Sequence, residues 1–370
     1  MASNVYFSDM RTRSGRNILD KVSALYDRAG FGELIEKGDF VAIKLHVGEP
    51  GNLAYIQPPV VRVIVEKVKA GGGKPFLTDA NTLYVGCRSN AVDHAISAIQ
   101  NGFSFATVGA PFVAADGLHG HSTVKVPING PRVKEARIGA AIAEADAMIA
   151  LSHFKGHEAS GFGGAIKNVG MGSASRAGKQ EQHSSVKPEV DVAKCRMCGR
   201  CVRWCPVGAI SFEPGHPARI DHSKCIGCAE CTISCLDEAI AVNWTDAEIN
   251  GFQERMAEYA YAVVSTKKGK CGFMNFVMNV SPDCDCAPWN DAPIVPNQGI
   301  LASTDPVAID QASVDLVNAA PGMPNTRLGE SLNSDDKFGA IHHGVDWHIQ
   351  LVHGEKLGLG TRQYKLLEVK

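Results

Sequence analysis

Eight of the chain's 12 cysteines fall in two runs, Cys195, Cys198, Cys201 and Cys205, then Cys225, Cys228, Cys231 and Cys235. Each run has the spacing C-x2-C-x2-C-x3-C. Three thiolates two residues apart can wrap three irons of one cubane. The fourth lies too far along the chain and reaches the neighbouring cluster. The spacing therefore assigns Cys195, Cys198, Cys201 and Cys235 to one [4Fe–4S] cluster, and Cys225, Cys228, Cys231 and Cys205 to a second. Structural zinc would use ligands in fours built from pairs, and this doubled spacing does not suit it. The surrounding sequence repeats as well, since residues 191–195 recur at 221–225 and Ala209-Ile210 recurs as Ala239-Ile240. Small residues beside the ligands (Gly199, Gly208, Gly227, Ala229) let backbone N–H groups approach sulfur, which tunes potential. The runs differ at Leu236, which stands where the first has Pro206.

Other residues with chemical potential follow apolar runs. Lys44 and His46 end one run, Asp79 and Asn81 another, and His153, Lys155 and His157 a third. Cys284 and Cys286 follow a fourth, as a thiol pair that could react, ligate a further metal or simply be buried. Gly161, Gly163 and Gly164 lead into Lys167 as a glycine loop opening a helix, whose N–H groups could cradle an anion. It is not a Walker loop, because Phe162 stands where the lysine is required. Lys167, Lys179 and His183 could meet a carboxylate or phosphate, or be ordinary polar surface. No G-x-G-x-x-G fingerprint follows an expected strand, so nothing specifies a nicotinamide or flavin.

The elements that must position these groups read as α/β. Strands are expected at 4–7, 40–47, 75–78 and 147–152, and helices at 16–29, 58–70, 89–101 and 137–145. A hairpin is expected within 114–131. Alternation of this kind implies a mostly parallel sheet covered by helices. Its ligands would gather at the strands' carboxyl ends. After the repeat the same grammar resumes, with an amphipathic helix striped by Ile249, Phe252, Met256, Tyr259, Ala260 and Val263. A strand at 273–280, an extended stretch at 293–302 and a helix opened by Asp305-Pro306 follow. One α/β domain, 1–187 and 245–370, is thus expected to be interrupted by a small α+β cluster-binding insert at 188–244.

Composition narrows the classes. The chain has 370 residues, with 37 Lys and Arg against 39 Asp and Glu. Nothing in that balance advertises nucleic acid or an acidic membrane surface. No apolar run is long enough to span a bilayer, and residues 1–10 lack the layout of a signal peptide. A cytoplasmic setting is expected, with thiols rather than disulfides.

The chain resembles the iron–sulfur members of the domain of unknown function 362 family, with an inserted bacterial two-[4Fe–4S] ferredoxin domain. The matching stretches are 43–49, 76–82, 152–157, 161–172, 283–286 and 300–310. The resemblance covers nearly the whole chain. It implies the architecture and the clusters, and hardly constrains the reaction.

The resulting expectation is an oxidoreductase, or a subunit of one. Electrons from a ferredoxin-like donor would pass through two [4Fe–4S] clusters to a site at the strand ends. There His46, His153, His157 and Lys167 would bind or protonate a small anion, with Cys284 and Cys286 as thiols or metal ligands. The alternatives are an electron carrier docking to a partner enzyme, and a protein delivering metal or clusters.

Overall fold

The computed structural model describes residues 2–83, 86–183, 188–205, 207–225, 231, 234, 235, 237, 239–242 and 249–370. Cys228, together with Pro206, Gly227, Ala229 and Leu236, lies outside the described residues.

The strand-forming runs build one eight-stranded sheet. Its order is Tyr364–Glu368, Ser3–Asp9, Gly299–Ser303, Cys271–Val277, Ala147–His153, Phe40–Lys44, Lys74–Asp79 and Phe112–Ala114. The last five of these run parallel to one another. Gly299–Ser303 is antiparallel to both of its neighbours. Ala147–His153, Cys271–Val277 and Gly299–Ser303 are buried along their whole length. That is why they read as continuous apolar runs rather than alternating ones. Strands from both sides of the cysteine repeat share the sheet, so it is one sheet through which the chain passes twice.

Helices cover both faces. Pro58–Ala70 and Ile18–Arg28 pack with Val41, Ile43, Leu77 and Ile149 on one side. On the other side Ala165–Ser173, Ile249–Thr266 and Pro306–Ala319 enclose Ala42, Met148, Ala150 and Phe273. The stripe expected along 249–263 is the buried face, with Phe252, Met256, Tyr259, Ala260 and Val263 all in the core. Gly170 lets this helix approach closely, since a Cβ there would run into the Met256 carbonyl. Asp305 caps Pro306–Ala319 as expected, accepting from Val307 N and Ala308 N at 2.9 Å each.

Two expectations shift. Residues 137–145 are not one helix: Glu135–Gly139 is a strand, and only Ala140–Glu144 is helical. The hairpin joins Thr123–Pro127 to Glu135–Gly139, so it lies later than expected, and Phe112–Ala114 belongs to the main sheet instead. The cause is tertiary. The Glu258 carboxylate accepts from Arg132 N at 3.0 Å and from Val133 N at 2.5 Å, pinning the hairpin loop from a helix far along the chain.

The repeat forms a compact insert of two short antiparallel pairs, Pro188–Val190 with Ile240–Val242 and Ile210–Ser211 with Arg219–Ile220. Its small core holds Cys201, Ile210, Ala218, Cys231 and Ile240.

Candidate functional site

The parallel strands end on one side of the sheet, and a cavity of about 840 Å³ opens there. Lys44, His46, Asp79, His153, Lys155, His157, Gly164, Lys167, Lys179, His183, Cys284 and Cys286 line it. Twelve residues singled out by type and position in the sequence thus share one wall. Asn81, Gly161 and Gly163 do not line it. Asn81 faces away, with its amide donating to Asp116 Oδ1 at 2.9 Å and Gly117 O at 2.8 Å.

Cations dominate the wall. Lys44, 1% exposed, donates to Asp79 Oδ1 at 3.0 Å and Asn168 Oδ1 at 2.7 Å. The Asn168 amide in turn donates to Leu151 O and Ser152 Oγ at 3.0 Å each, clamping two strand ends together. Burial pushes the Asp79 carboxyl up, but Lys44 and the other surrounding cations outweigh it and hold it below the usual carboxylate range. Arg88 is equally buried and bonds Glu49 Oε2 at 2.5 Å. Lys179 donates to Ala174 O at 2.7 Å, and burial lowers its pKa to about 8 against the attraction of Asp116 and Asp79. The Lys155 side chain, 6% exposed, makes no hydrogen bond or ion pair among the described residues. Burial also lowers His183 to about 4, and its Nδ1 donates to Lys179 O at 2.6 Å.

The thiols face this cationic wall. Lys167 Nζ donates to Cys284 Sγ at 3.3 Å, and Cys286 N approaches the same sulfur at 3.4 Å. The thiol of Cys286 also bonds it, and this is the strongest influence holding the Cys284 pKa well below the ordinary thiol value. Burial opposes the shift, while Lys167, Lys155 and the His157 ring N–H reinforce it. Cys286 is pushed the other way, by that same hydrogen bond and by burial. The two thiols titrate as a pair, in which the Lys167 ammonium favours the thiolate on Cys284. Burial would strip Lys167 of its proton, but the sulfurs and Glu158 keep it an ammonium.

Backbone contacts assign the histidine tautomers. Gly48 N donates to His46 Nδ1 at 3.0 Å, so the His46 proton lies on Nε2, 3.7 Å from Cys286 Sγ. Ala159 N and Ser160 N donate to His157 Nδ1 at 3.2 Å and 3.1 Å, which places its proton on Nε2 as well. His153 is different. Its Nδ1 faces Asp285 at 2.9 Å and its Nε2 faces Met278 O at 2.8 Å, so the ring fastens the loop that carries the thiols.

The glycine segment does not cradle an anion. Gly161–Gly163 pairs as a strand with Lys155–His157, and the first two N–H groups of helix Ala165–Ser173 are already taken. Asp310 accepts from Ala165 N at 2.7 Å and Ile166 N at 2.9 Å, and from the Asn275 amide at 2.7 Å. Burial raises its carboxyl to about 6 against these donors. The glycines instead make room: a Cβ on Gly163 would lie 2.6 Å from Lys155 Nζ and 2.8 Å from Lys167 Cδ. Arg88, Glu158, Asn168 and Phe252 also line the cavity and went unremarked as site residues in the sequence. Asn168 follows Lys167 and was within reach of motif reading, but Arg88 stands inside an expected helix start and carries no local signal.

In the insert, Cys195, Cys198, Cys201 and Cys235 line one small cavity, the ligand set expected for a single cubane. The two halves match in detail. Ala209 N donates to Cys205 Sγ at 3.1 Å, and Ala239 N to Cys235 Sγ at 3.2 Å. These are the N–H···S contacts that suit a bound cluster. His183 precedes the cysteine repeat in the chain and Phe252 follows it. Both line the large cavity, and their rings pack at 4.9 Å.

Comparison with known proteins fits this division. Residues 41–315 match the family described as Domain of unknown function (DUF362). The ferredoxin-like protein YdhY of Escherichia coli (strain K12) is 41% identical over 44 residues, 11% of this chain and 21% of YdhY. The chain thus spans about a fifth of that relative. Pyruvate synthase subunit PorD of Methanothermobacter marburgensis is 33% identical over 78 residues, 21% of this chain and 88% of PorD. Among solved structures, the lactate racemase apoprotein from Thermoanaerobacterium thermosaccharolyticum aligns at TM-score 0.36 and 14% identity, over 74% of this chain and 50% of that one. That likeness is too distant to carry a functional reading. The match over 41–315 and the repeat of cysteines within it together make this chain a member of the DUF362 family that carries a ferredoxin-like iron–sulfur segment.

Proposed function

We propose that the protein is an iron–sulfur oxidoreductase, or a subunit of one, that moves electrons between two [4Fe–4S] clusters at 188–244 and a small anion in the cavity of the α/β domain. The observation that carries this reading is a pair of cavity residues that stand before and after the cysteine repeat. His183 and Phe252 flank the insert in sequence and line the cavity in space. Bound clusters would supply one-electron steps. The chain's own residues supply the rest. Lys155 and Lys179 attract the anion, while Lys167 and the His46 and His157 N–H groups neutralise charge that builds on it.

A metal at Cys284 and Cys286 is not favoured. An imidazole ligand offers a bare nitrogen and donates through the other. His46 and His157 do the reverse, so the pair reads as thiol chemistry. A carrier docked to a partner enzyme is the second reading, favoured by the similarity to PorD, whose name makes it a subunit of pyruvate synthase.

Anaerobically prepared protein should contain about eight iron and eight acid-labile sulfide. Reduced protein is then mixed with a panel of small carboxylates and with phosphate, following cluster absorbance. Binding together with reoxidation supports the oxidoreductase. If no member binds and none reoxidises the clusters, that reading is lost, and stable capture of a redox enzyme would favour the carrier.

A further inference from the structure

Cys284 has an environment that simple anion binding does not require. Its sulfur receives Lys167 Nζ at 3.3 Å and the Cys286 backbone N–H at 3.4 Å. The nearby His157 and Cys286 side chains also favour its thiolate. An ammonium and a backbone N–H on one buried sulfur are the surroundings of a thiolate, and a thiolate is the nucleophilic form of cysteine. Beside it, Lys155 is 6% exposed, lines the cavity and has no hydrogen-bond partner among the described residues. Its ammonium faces the space a ligand would fill and would attract an anion there.

We propose that Cys284 is a resting thiolate nucleophile that captures a small carboxylate bearing an electrophilic carbonyl, with Lys155 holding the carboxylate and Cys286 acting as the acid. This rests on the anion-binding cavity proposed above and adds a covalent step to it. The electron pair of Cys284 Sγ forms a bond to the carbonyl carbon. The C=O π pair moves onto oxygen, which takes the proton of the Cys286 thiol. The product is a thiohemiacetal. The negative charge that began on Cys284 ends on Cys286, where the His46 Nε2–H at 3.7 Å can receive it. Nothing is oxidised or reduced, so the step needs no co-reactant. His157 does not act as the acid, because its only ring proton would leave an imidazolate.

The test alkylates cluster-loaded protein under anaerobic conditions and counts modified peptides by mass spectrometry. Exposed Cys87 serves as the internal reference. Relative to Cys87, Cys284 should favour iodoacetate over iodoacetamide by about tenfold, the order expected of one ammonium–carboxylate contact. Lys155→Gln should abolish that preference. The alkylation rate at Cys284 should stay flat well below the pH at which Cys87 loses reactivity. Besides Cys286, the charged and titratable groups facing Cys284 are His46, Lys155, Lys167, His157 and Glu158, and Lys167→Gln should move its profile toward that of Cys87. Glyoxylate should protect Cys284 more strongly than oxamate, a carboxylate without a reactive carbonyl.

No iodoacetate preference, or a pH profile like that of Cys87, would overturn the proposal. Equal protection by glyoxylate and oxamate would remove the covalent step. Oxamate binding measured by calorimetry separates the two readings. If oxamate binds and Cys284 is unreactive, the nucleophile falls and the anion cavity stands. If oxamate does not bind, both fall.

Discussion

Lys179 is a buried ammonium held only by a carbonyl and by distant carboxylates, and its pKa of about 8 falls inside an accessible range. It is charged below that pH and neutral above it. Affinity of the cavity for a small carboxylate should therefore fall as pH rises through about 8, and Lys179→Met should remove that step from the binding profile. Gly163 acts on the same cations through space alone. A methyl there meets the flexible ends of two lysines, at 2.6 Å and 2.8 Å, so the fold should survive while both ammoniums shift. Gly163→Ala should weaken oxamate binding about tenfold with iron content unchanged, measured by calorimetry. Lys44, Lys155 and the two thiols were legible because polar residues directly after apolar runs stand out. The role of Gly163 was not, because what excludes a side chain there is the packing of two lysines from different elements.

At the scale of elements, the decisive pairing is Asp310 on the N-terminus of helix Ala165–Ser173. The two lie about 145 residues apart in sequence. The carboxylate satisfies two of the N–H groups that a helix start leaves open. Asp310→Ala should cost about 3 kcal/mol, the price of stranding several buried donors, read as a fall in the urea midpoint. Lys167 lies in the first turn of that helix, so the same variant should also weaken carboxylate binding. Here sequence reading went only part way. It recognised a glycine loop entering a helix and expected an outside anion at the helix start. The anion was already supplied by the protein, from the helix opened by Asp305-Pro306, and no local pattern announces such a contact. The same limit applies to 135–139, which forms a strand because Thr123–Pro127 pairs with it and Glu258 pins the intervening loop.

For the whole molecule, the order of the sheet was only partly legible. Parallel strands could be anticipated from alternating strand and helix, but the antiparallel entry of Gly299–Ser303 between Ser3–Asp9 and Cys271–Val277 could not. The cysteine repeat itself was plain, since its spacing needs no tertiary context. What spacing could not say is that His183, before the repeat, and Phe252, after it, pack ring to ring. Residues on either side of the cysteine repeat thus belong to the wall that a ligand would touch. Any ligand that tightens this wall then perturbs the two ends of the redox module together. Thermodynamic reciprocity makes the influence mutual: if oxamate shifts a cluster midpoint potential, reduction must change oxamate affinity by the same free energy. A tenfold affinity change between oxidised and reduced protein corresponds to about 59 mV for one electron. Redox titrations with and without oxamate should show a displacement of that order, and coincident curves would mean that the two compartments are joined by chain and not by energy.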